Sequence, residues 1–406
     1  MAGAAAAAAL PAVLRAGPAA GAAGPPLAGG QEDEAYWRRV RDRFLIPAGR
    51  IYLNVGTLGP QPLPVVEAVE RCTRQVAETY PPGVAWDRLK SRLGQLLDGD
   101  PDGFVFPRNT TEAMSWVANG LELAAGDEVL TTDHEHIGGL CCWQALAARR
   151  GIRLRVVQLP ATDGNPEEVI RRVRAALSPR TRVLSISHVL FTNGAIMPIR
   201  ELVALCRGRG IISVVDGAHP PGLIRLSLRT LDPDFYASSL HKWLLAPQGT
   251  GLLYIPEDWR TRLWPTVVSG EWDDLSLGAH RLNHIGTIDE SRLAGLEAAL
   301  DFHEAIGPDR VERRIRALRR RLAERLAALP HVRITSPARD SQVAGMVSFR
   351  IEGVDALEAQ RRLAQDANVR SRVIGEYGYG WLRLSPHIYN TPEELDRVVD
   401  LLAAMR

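Results

Sequence analysis

The sequence predicts an α/β protein: a large, mainly parallel sheet domain followed by a smaller C-terminal α+β domain. From residue 51 onward short β-rich runs alternate with amphipathic helical patterns, which is how βα units and parallel strands read. After residue 330 this alternation gives way to a compact group of strands with two helices. A chain of 406 residues also exceeds the usual size of one compact core, so two are expected.

Taken in order, residues 1–30 are almost wholly Ala, Gly, Pro and Leu, a low-complexity stretch that cannot build a core and is expected to be a disordered tail. Its run AAAAAALPAVL resembles an export signal, but the basic start of such a signal is missing, and a cytoplasmic protein is expected. Residues 31–55 are read as an N-terminal segment packing on the small domain, 56–305 as the large domain and 306–406 as the small one. Strands are predicted in IYLNVG, GFVFPR, DEVLTTD, IRLRVVQL, TRVLSISHVLF, IISVVD, DFYASS and GLLYIP, where β-branched and aromatic residues cluster between turn formers. Helices near 61–79, 84–98, 111–123, 138–150, 165–177 and 198–209 lie between them. A long helical region at 290–328 is interrupted by Gly307-Pro308. In its arginine-rich second half Val311, Ile315, Leu318, Leu322 and Leu326 recur at three- or four-residue spacing, which predicts an amphipathic helix with a solvated charged face. The strands VRITS, GMVSFRI, VRSRVI and WLRLS, with helices near 355–366 and 391–404, complete the chain.

A hydrophobic fraction of 46% with 24% charged residues is that of an ordinary globular protein. The net charge of +2 gives no reason to expect a nucleic-acid or anionic-membrane partner. No apolar run of about 18 residues occurs, so no membrane helix is expected. Cys72, Cys141, Cys142 and Cys206 lack C-x-x-C spacing and read as reduced thiols without a metal, the adjacent pair as buried helix packing.

Of 49 basic residues only Lys90 and Lys242 are lysines. Arginine supplies charge, but its guanidinium does not form an imine with an aldehyde at neutral pH as a lysine amine can. Lys90 lies in the amphipathic pattern WDRLKSRLGQLL and reads as a solvated charge. Lys242, in SSLHKW directly after an apolar run, reads as a Schiff-base residue.

The ends of successive predicted strands supply the other parts of a pyridoxal-phosphate (PLP) site, and ligands of open α/β sheets collect at such ends. Asp216, in IISVVDGAHPPG, is placed to keep a pyridine nitrogen protonated, and His219 to bond the ring's phenolic oxygen. The competing reading is a helix-capping aspartate and a turn histidine. In RNTTEAM, residues Asn109, Thr110 and Thr111 follow a strand and open a helix, where free N–H groups and the helix dipole favour a phosphate; capping alone competes. Ser239 and His241 can add donors, and His136, in LTTDHEHIGG, can stack on the ring. Arg383 sits in the apolar strand WLRLS, a costly place for a charge unless an anion meets it, and its planar fork suits a carboxylate. A structural ion pair is the alternative there.

With these residues in place, the chain resembles the class V aminotransferase-fold PLP enzymes, in the branch of isopenicillin N epimerases and cysteine-desulfurase-like proteins. The motifs that carry the resemblance are YLNVGTLGP, RNTTEAM, DHEH, VDGAHPPG, SSLHKW with GTGLLYI, HIGT and LRLSPHIYNT, from about Tyr36 to the C-terminus. It implies fold type I and a homodimer with active sites at the interface. By motif, Lys242 would hold the cofactor, Asp216 and His219 its ring and His136 its face, while Thr111, Ser239 and His241 would bind phosphate. Thr287 of HIGT would reach the partner subunit's site, Arg383 would grip the substrate carboxylate, and Asn54 and Gly56 would line the substrate side. One departure stands out: desulfurases carry a nucleophilic cysteine ahead of that arginine, and NVRSRVIGEYGYGWLR has none.

The expected activity is therefore chemistry at the α-carbon of an amino acid or derivative, with Lys242 as general base. An epimerase or aminotransferase type ranks first and a carbon–sulfur β-lyase second. A non-catalytic PLP-binding protein ranks last, because it would have no use for a buried Arg383.

Overall fold

A computed structural model describes residues 33–160 and 164–405. The expectations for residues 1–30 lie outside the described residues. The strands are β1 (Ile51–Tyr52), β2 (Phe104–Val105), β3 (Glu128–Thr132), β4 (Arg153–Val157), β5 (Thr181–Ser187), β6 (Ile212–Asp216), β7 (Phe235–Ser239) and β8 (Gly251–Tyr254). They continue with β9 (Val332–Ile334), β10 (Val347–Ile351), β11 (Val369–Arg370), β12 (Arg372–Ile374) and β13 (Trp381–Leu384).

Seven strands form one sheet in the order β2-β8-β7-β6-β5-β3-β4. The stretch from β7 to β4 is parallel, while β8 runs antiparallel to both β7 and β2. Because side chains alternate along a strand, neighbours in sequence enter different cores. Val129, Val183 and Val214 join a cluster on one face, and Leu130, Leu184 and Val215 join the cluster on the other. Both faces are therefore covered, which accounts for the unbroken apolar runs that marked these strands. The chain leaves β3 for β4 on one side and returns to β5 on the other, so winding reverses between β3 and β5. That reversal opens a crevice at the strands' carboxyl ends.

The second sheet, β12-β13-β10-β9, is antiparallel and is covered by helices that include Pro308–Ala327 and Pro392–Ala403. β1 pairs in parallel with β11, and Ile51 and Leu53 enter the core of this C-terminal sheet. The helix predicted across 290–328 is two helices, Glu290–Ile306 and Pro308–Ala327, parted at Gly307. Val311, Ile315, Leu318, Leu322 and Leu326 are buried as their spacing requires. Its charged face is not wholly solvated: Arg314 is buried against Glu34, and Arg319 against Asp340.

Two readings need correction. Lys90 is only 6% exposed, packed on the inner face of helix Trp86–Leu97, so it is not a solvated charge. Of the adjacent cysteines only Cys142 is buried; Cys141 faces outward, because consecutive helical positions lie on different faces. Among the described residues no helix is long and apolar enough to cross a membrane.

Candidate active site

A cavity of about 240 Å³ lies at the carboxyl ends of the parallel strands. It brings together Lys242, Asp216, His219, His136, Asn109, Thr110, Thr111, Ser239, His241, Gly56 and Arg383. A larger hollow of about 610 Å³ between Trp259, Trp264 and Trp272 holds none of the predicted residues.

Lys242 follows β7 on a loop that Gly59 clamps: Gly59 N–H donates to His241 O at 2.9 Å, and a side chain there would strike the Lys242 carbonyl. Burial pushes the Lys242 amine down to about 8; Asp216 opposes this, and Arg383 and Arg372 add to it. Asp216 ends β6, and its Oδ1 accepts from Ala218 N–H at 3.0 Å. Burial raises its pKa, with Lys242 pulling the other way. Three residues on, His219 Nδ1 accepts from Trp243 Nε1 at 3.0 Å. An indole nitrogen only donates, so the histidine proton sits on Nε2 and is available to an acceptor in the cavity. Burial, reinforced by Lys242, keeps this ring neutral.

His136 caps helix Ile137–Arg150 by accepting from Gly138 N–H at 3.1 Å. Burial, followed by Lys242, takes its pKa down to about 4, so it presents a neutral aromatic face, edge-on to Phe191 at 5.0 Å. Behind it, a Cβ on Gly139 would stand 2.7 Å from Asp216 Oδ2, and one on Gly138 would collide with the Thr111 hydroxyl. These glycines hold open a space between the two groups assigned to ring and phosphate, which is the shape a flat phosphorylated ring requires.

The phosphate end is only partly as expected. The Asn109 side chain is the cap of helix Thr110–Gly120: its Oδ1 accepts from Glu112 N–H at 2.9 Å, which leaves the amide NH2, the donor end, for an anion in the cavity that Asn109 lines. Thr110 N–H donates to Ser239 Oγ at 3.1 Å, and the two hydroxyls share a bond of 2.8 Å. The Thr111 hydroxyl remains at the helix N-terminus. His241 Nδ1 lies 3.2 Å from Thr250 O, which can only accept, so its other nitrogen donates to an anion only when the ring is protonated. Thr287 lies outside the cavity, in a surface hollow with Arg108, Asn283 and Arg292.

Arg383 is 1% exposed and meets no carboxylate. It donates to Phe191 O at 2.6 Å, Asn54 Oδ1 at 3.2 Å and Thr57 Oγ1 at 3.3 Å, and its Nε has no partner among the described residues. Asn54 thus reaches the site through the arginine and does not line the cavity, whereas Gly56 leaves room for the guanidinium. Among the described residues no carboxylate forms the ion pair considered for Arg383. Sequence reading missed Arg372, which lines the cavity directly opposite Arg383 across β12 and β13 and pairs with Glu376. It also missed Ser187, Val189 and Phe191 at the end of β5. Only the pairing and register of the strands reveal them.

A profile of the aminotransferase class-V family matches residues 84–398. The isopenicillin N epimerase of Streptomyces clavuligerus is 34% identical over 91% of this chain and 98% of its own. A probable cysteine desulfurase of Methanothermobacter thermautotrophicus is 26% identical over 89% and 96%. Among solved structures, a mutant of C-DES with glycine covalently linked to its PLP cofactor superposes with a TM-score of 0.81 at 27% identity, covering 90% of this chain and 99% of that one. The cystine C–S lyase C-DES with its product cysteine persulfide gives a TM-score of 0.79, at 27% identity over 88% and 98%.

Proposed function

We propose, for a chain that belongs to the aminotransferase class-V family, that its PLP site inverts or exchanges hydrogen at the α-carbon of an amino acid or amino-acid derivative. The protein is a PLP-dependent enzyme of fold type I. The observation that carries the substrate class is Arg383, a buried guanidinium without an acid partner, facing the same cavity as Lys242. An α-carboxylate is the anion its fork fits, and the amine of the same molecule then lies toward Lys242.

Bound PLP supplies an electron sink for the negative charge left when the α-proton departs. The chain's own residues do the rest. Lys242, with an amine brought down to about 8 by burial, removes that proton, and inversion follows when a proton returns to the opposite face of the α-carbon. Asp216 would hold the ring nitrogen protonated, His219 Nε2–H would donate to the phenolic oxygen, and His136 would cover a ring face. Thr111 and Ser239 would hold the phosphate, with His241 joining once the anion draws a proton onto it. Arg383, steadied by Asn54, Thr57 and Phe191 O, fixes the carboxylate and so the bond presented to Lys242.

Epimerase-type chemistry is favoured over persulfide formation because residues 369–384, which hold Arg372 and Arg383, contain no cysteine. Carbon–sulfur β-elimination without a protein thiol remains the second reading, on the likeness to C-DES. A homodimer is part of the proposal: Thr287 stands outside its own chain's cavity, in a surface hollow with exposed Val267, which a second subunit would cover. A cytoplasmic location is proposed with it.

A panel of D- and L-amino acids and S-substituted cysteines in deuterium oxide tests the reading. Deuterium should enter the α-position with inversion or keto-acid formation; pyruvate and ammonia from the cysteines alone would favour the lyase. Arg383→Lys should weaken amino-acid binding by about 2–5 kcal/mol, since an ammonium cannot reproduce a two-pronged contact. The corresponding decarboxylated amine should lose little more in the variant than in the parent, and the cofactor's absorbance should not change. Loss of cofactor from the variant would instead make Arg383 structural.

A further inference from the structure

One buried acid beside the site has no part in the steps above. The carboxyl ends of three neighbouring strands, β6, β5 and β3, carry a row of polar groups: Asp216, Ser187, and Thr132 with Glu135. Ser187 stands in register with Asp216, and both line the cavity. Glu135 does not line it; it is 4% exposed, one layer behind. Its Oε2 lies 2.5 Å from Ser187 Oγ and its Oε1 lies 2.6 Å from Thr132 Oγ1.

We infer that Glu135 is a positioning residue that sets, through the Ser187 hydroxyl, whether the cavity wall beside Asp216 offers a hydrogen-bond acceptor or a donor. A serine hydroxyl has one hydrogen and a rotor to aim it. When Glu135 is ionised, both hydroxyls donate to it, and Ser187 turns its lone pairs to the cavity. When Glu135 is protonated, its own proton needs an acceptor. One of the two lone pairs of Thr132 Oγ1 is taken by His134 N–H at 3.2 Å, so Ser187 Oγ, 2.5 Å from Glu135 Oε2, is the better acceptor, and on taking that proton it swings its own hydrogen toward the cavity. A donor there competes for the Asp216 carboxylate and weakens its hold on the ring nitrogen.

The groups facing Glu135 place this change near neutrality. Burial pushes the carboxyl up to about 7; the Ser187 and Thr132 hydroxyls pull it down, and the Asp216 carboxylate on β6 pushes it up. From the segment after β12, the Tyr377 hydroxyl donates to Glu135 O at 2.6 Å and holds the backbone in place. Ser187 is therefore a donor to the cavity below about pH 7 and an acceptor above it. The inference rests on the reading that PLP occupies this cavity.

The experiment uses the PLP-loaded protein and follows the cofactor's visible absorbance and kcat against pH. The parent should show one inflection near pH 7 in both. Glu135→Gln, whose amide donates toward Ser187 permanently, should retain PLP but hold the acid-side spectrum and kcat at every pH. Ser187→Ala should also lose the inflection, and the double variant should add nothing further. Thr132→Val removes one donor from the ionised carboxylate, so the inflection should survive at higher pH. An inflection that persists in Glu135→Gln or in Ser187→Ala overturns the inference. If Glu135→Gln does not fold, an unchanged midpoint in Thr132→Val together with an unchanged profile in Ser187→Ala overturns it equally. A parent that binds no PLP is a different result and overturns the functional reading itself.

Discussion

Lys242→Ala should abolish covalent attachment of PLP and lower turnover by roughly 10²–10⁴-fold or more, the range for loss of a positioned acid–base group. Borohydride treatment of the parent followed by peptide mass spectrometry should place the reduced label on the peptide containing Lys242, and the variant should show none. The chain makes this a clean test, because Lys90 is the only other lysine side chain and lies buried in helix Trp86–Leu97. Label on Lys90 would remove the basis of the proposed mechanism. The physical reason for expecting Lys242 is its environment: burial has brought its amine down to about 8, so near neutrality an appreciable fraction is unprotonated and nucleophilic.

Asp216→Asn should cost on the order of 10²–10³ in kcat, the size of effect produced by removing one preorganised electrostatic contact. The substitution keeps the shape and leaves an oxygen to accept from Ala218 N–H, so it removes charge alone. Stability should move the other way. Burial raises the Asp216 pKa, so in cofactor-free protein the acid form is favoured and stability is lost as pH rises through that raised value. Asparagine has no such loss, and the cofactor-free variant should melt at the same temperature as the parent or higher at neutral and alkaline pH. Calorimetry of both forms separates the cases: low kcat with a lowered Tm would make Asp216 structural, and near-normal kcat would end its assigned role.

Much of this architecture was legible because it rests on local rules. Unbroken β-branched runs marked the doubly covered strands β3, β5 and β6, and Gly307-Pro308 marked the helix break where it occurs. The lysine was legible by composition, since arginine had replaced it almost everywhere else. What stayed hidden depends on which strands pair and in what register. Arg372 looks like any arginine of an alternating strand until β12 lies beside β13 and sets it opposite Arg383. Ser187 and Glu135 are separate residues in TRVLSISHVLF and DHEH until β5 and β3 meet. Lys90 was misread because an amphipathic pattern gives the stripe's direction but not its width, and its aliphatic stem lies within the buried face. The Asn109 reading named the helix terminus at the cavity, where the side chain caps through its oxygen and keeps its amide donors.

The arginine grip has a consequence for how the protein is made. Asn54 and Arg383, which share a hydrogen bond, are 329 positions apart, and β1 finds its partner only in β11. During synthesis on a ribosome the seven-stranded sheet can complete once β8 has emerged, while the wall that carries Arg383 does not yet exist. The β1 segment must wait for β11, more than 300 residues further on. A nascent chain therefore passes through a stage with Lys242 in place on its sheet while Arg383, the wall of the same cavity, is still to come.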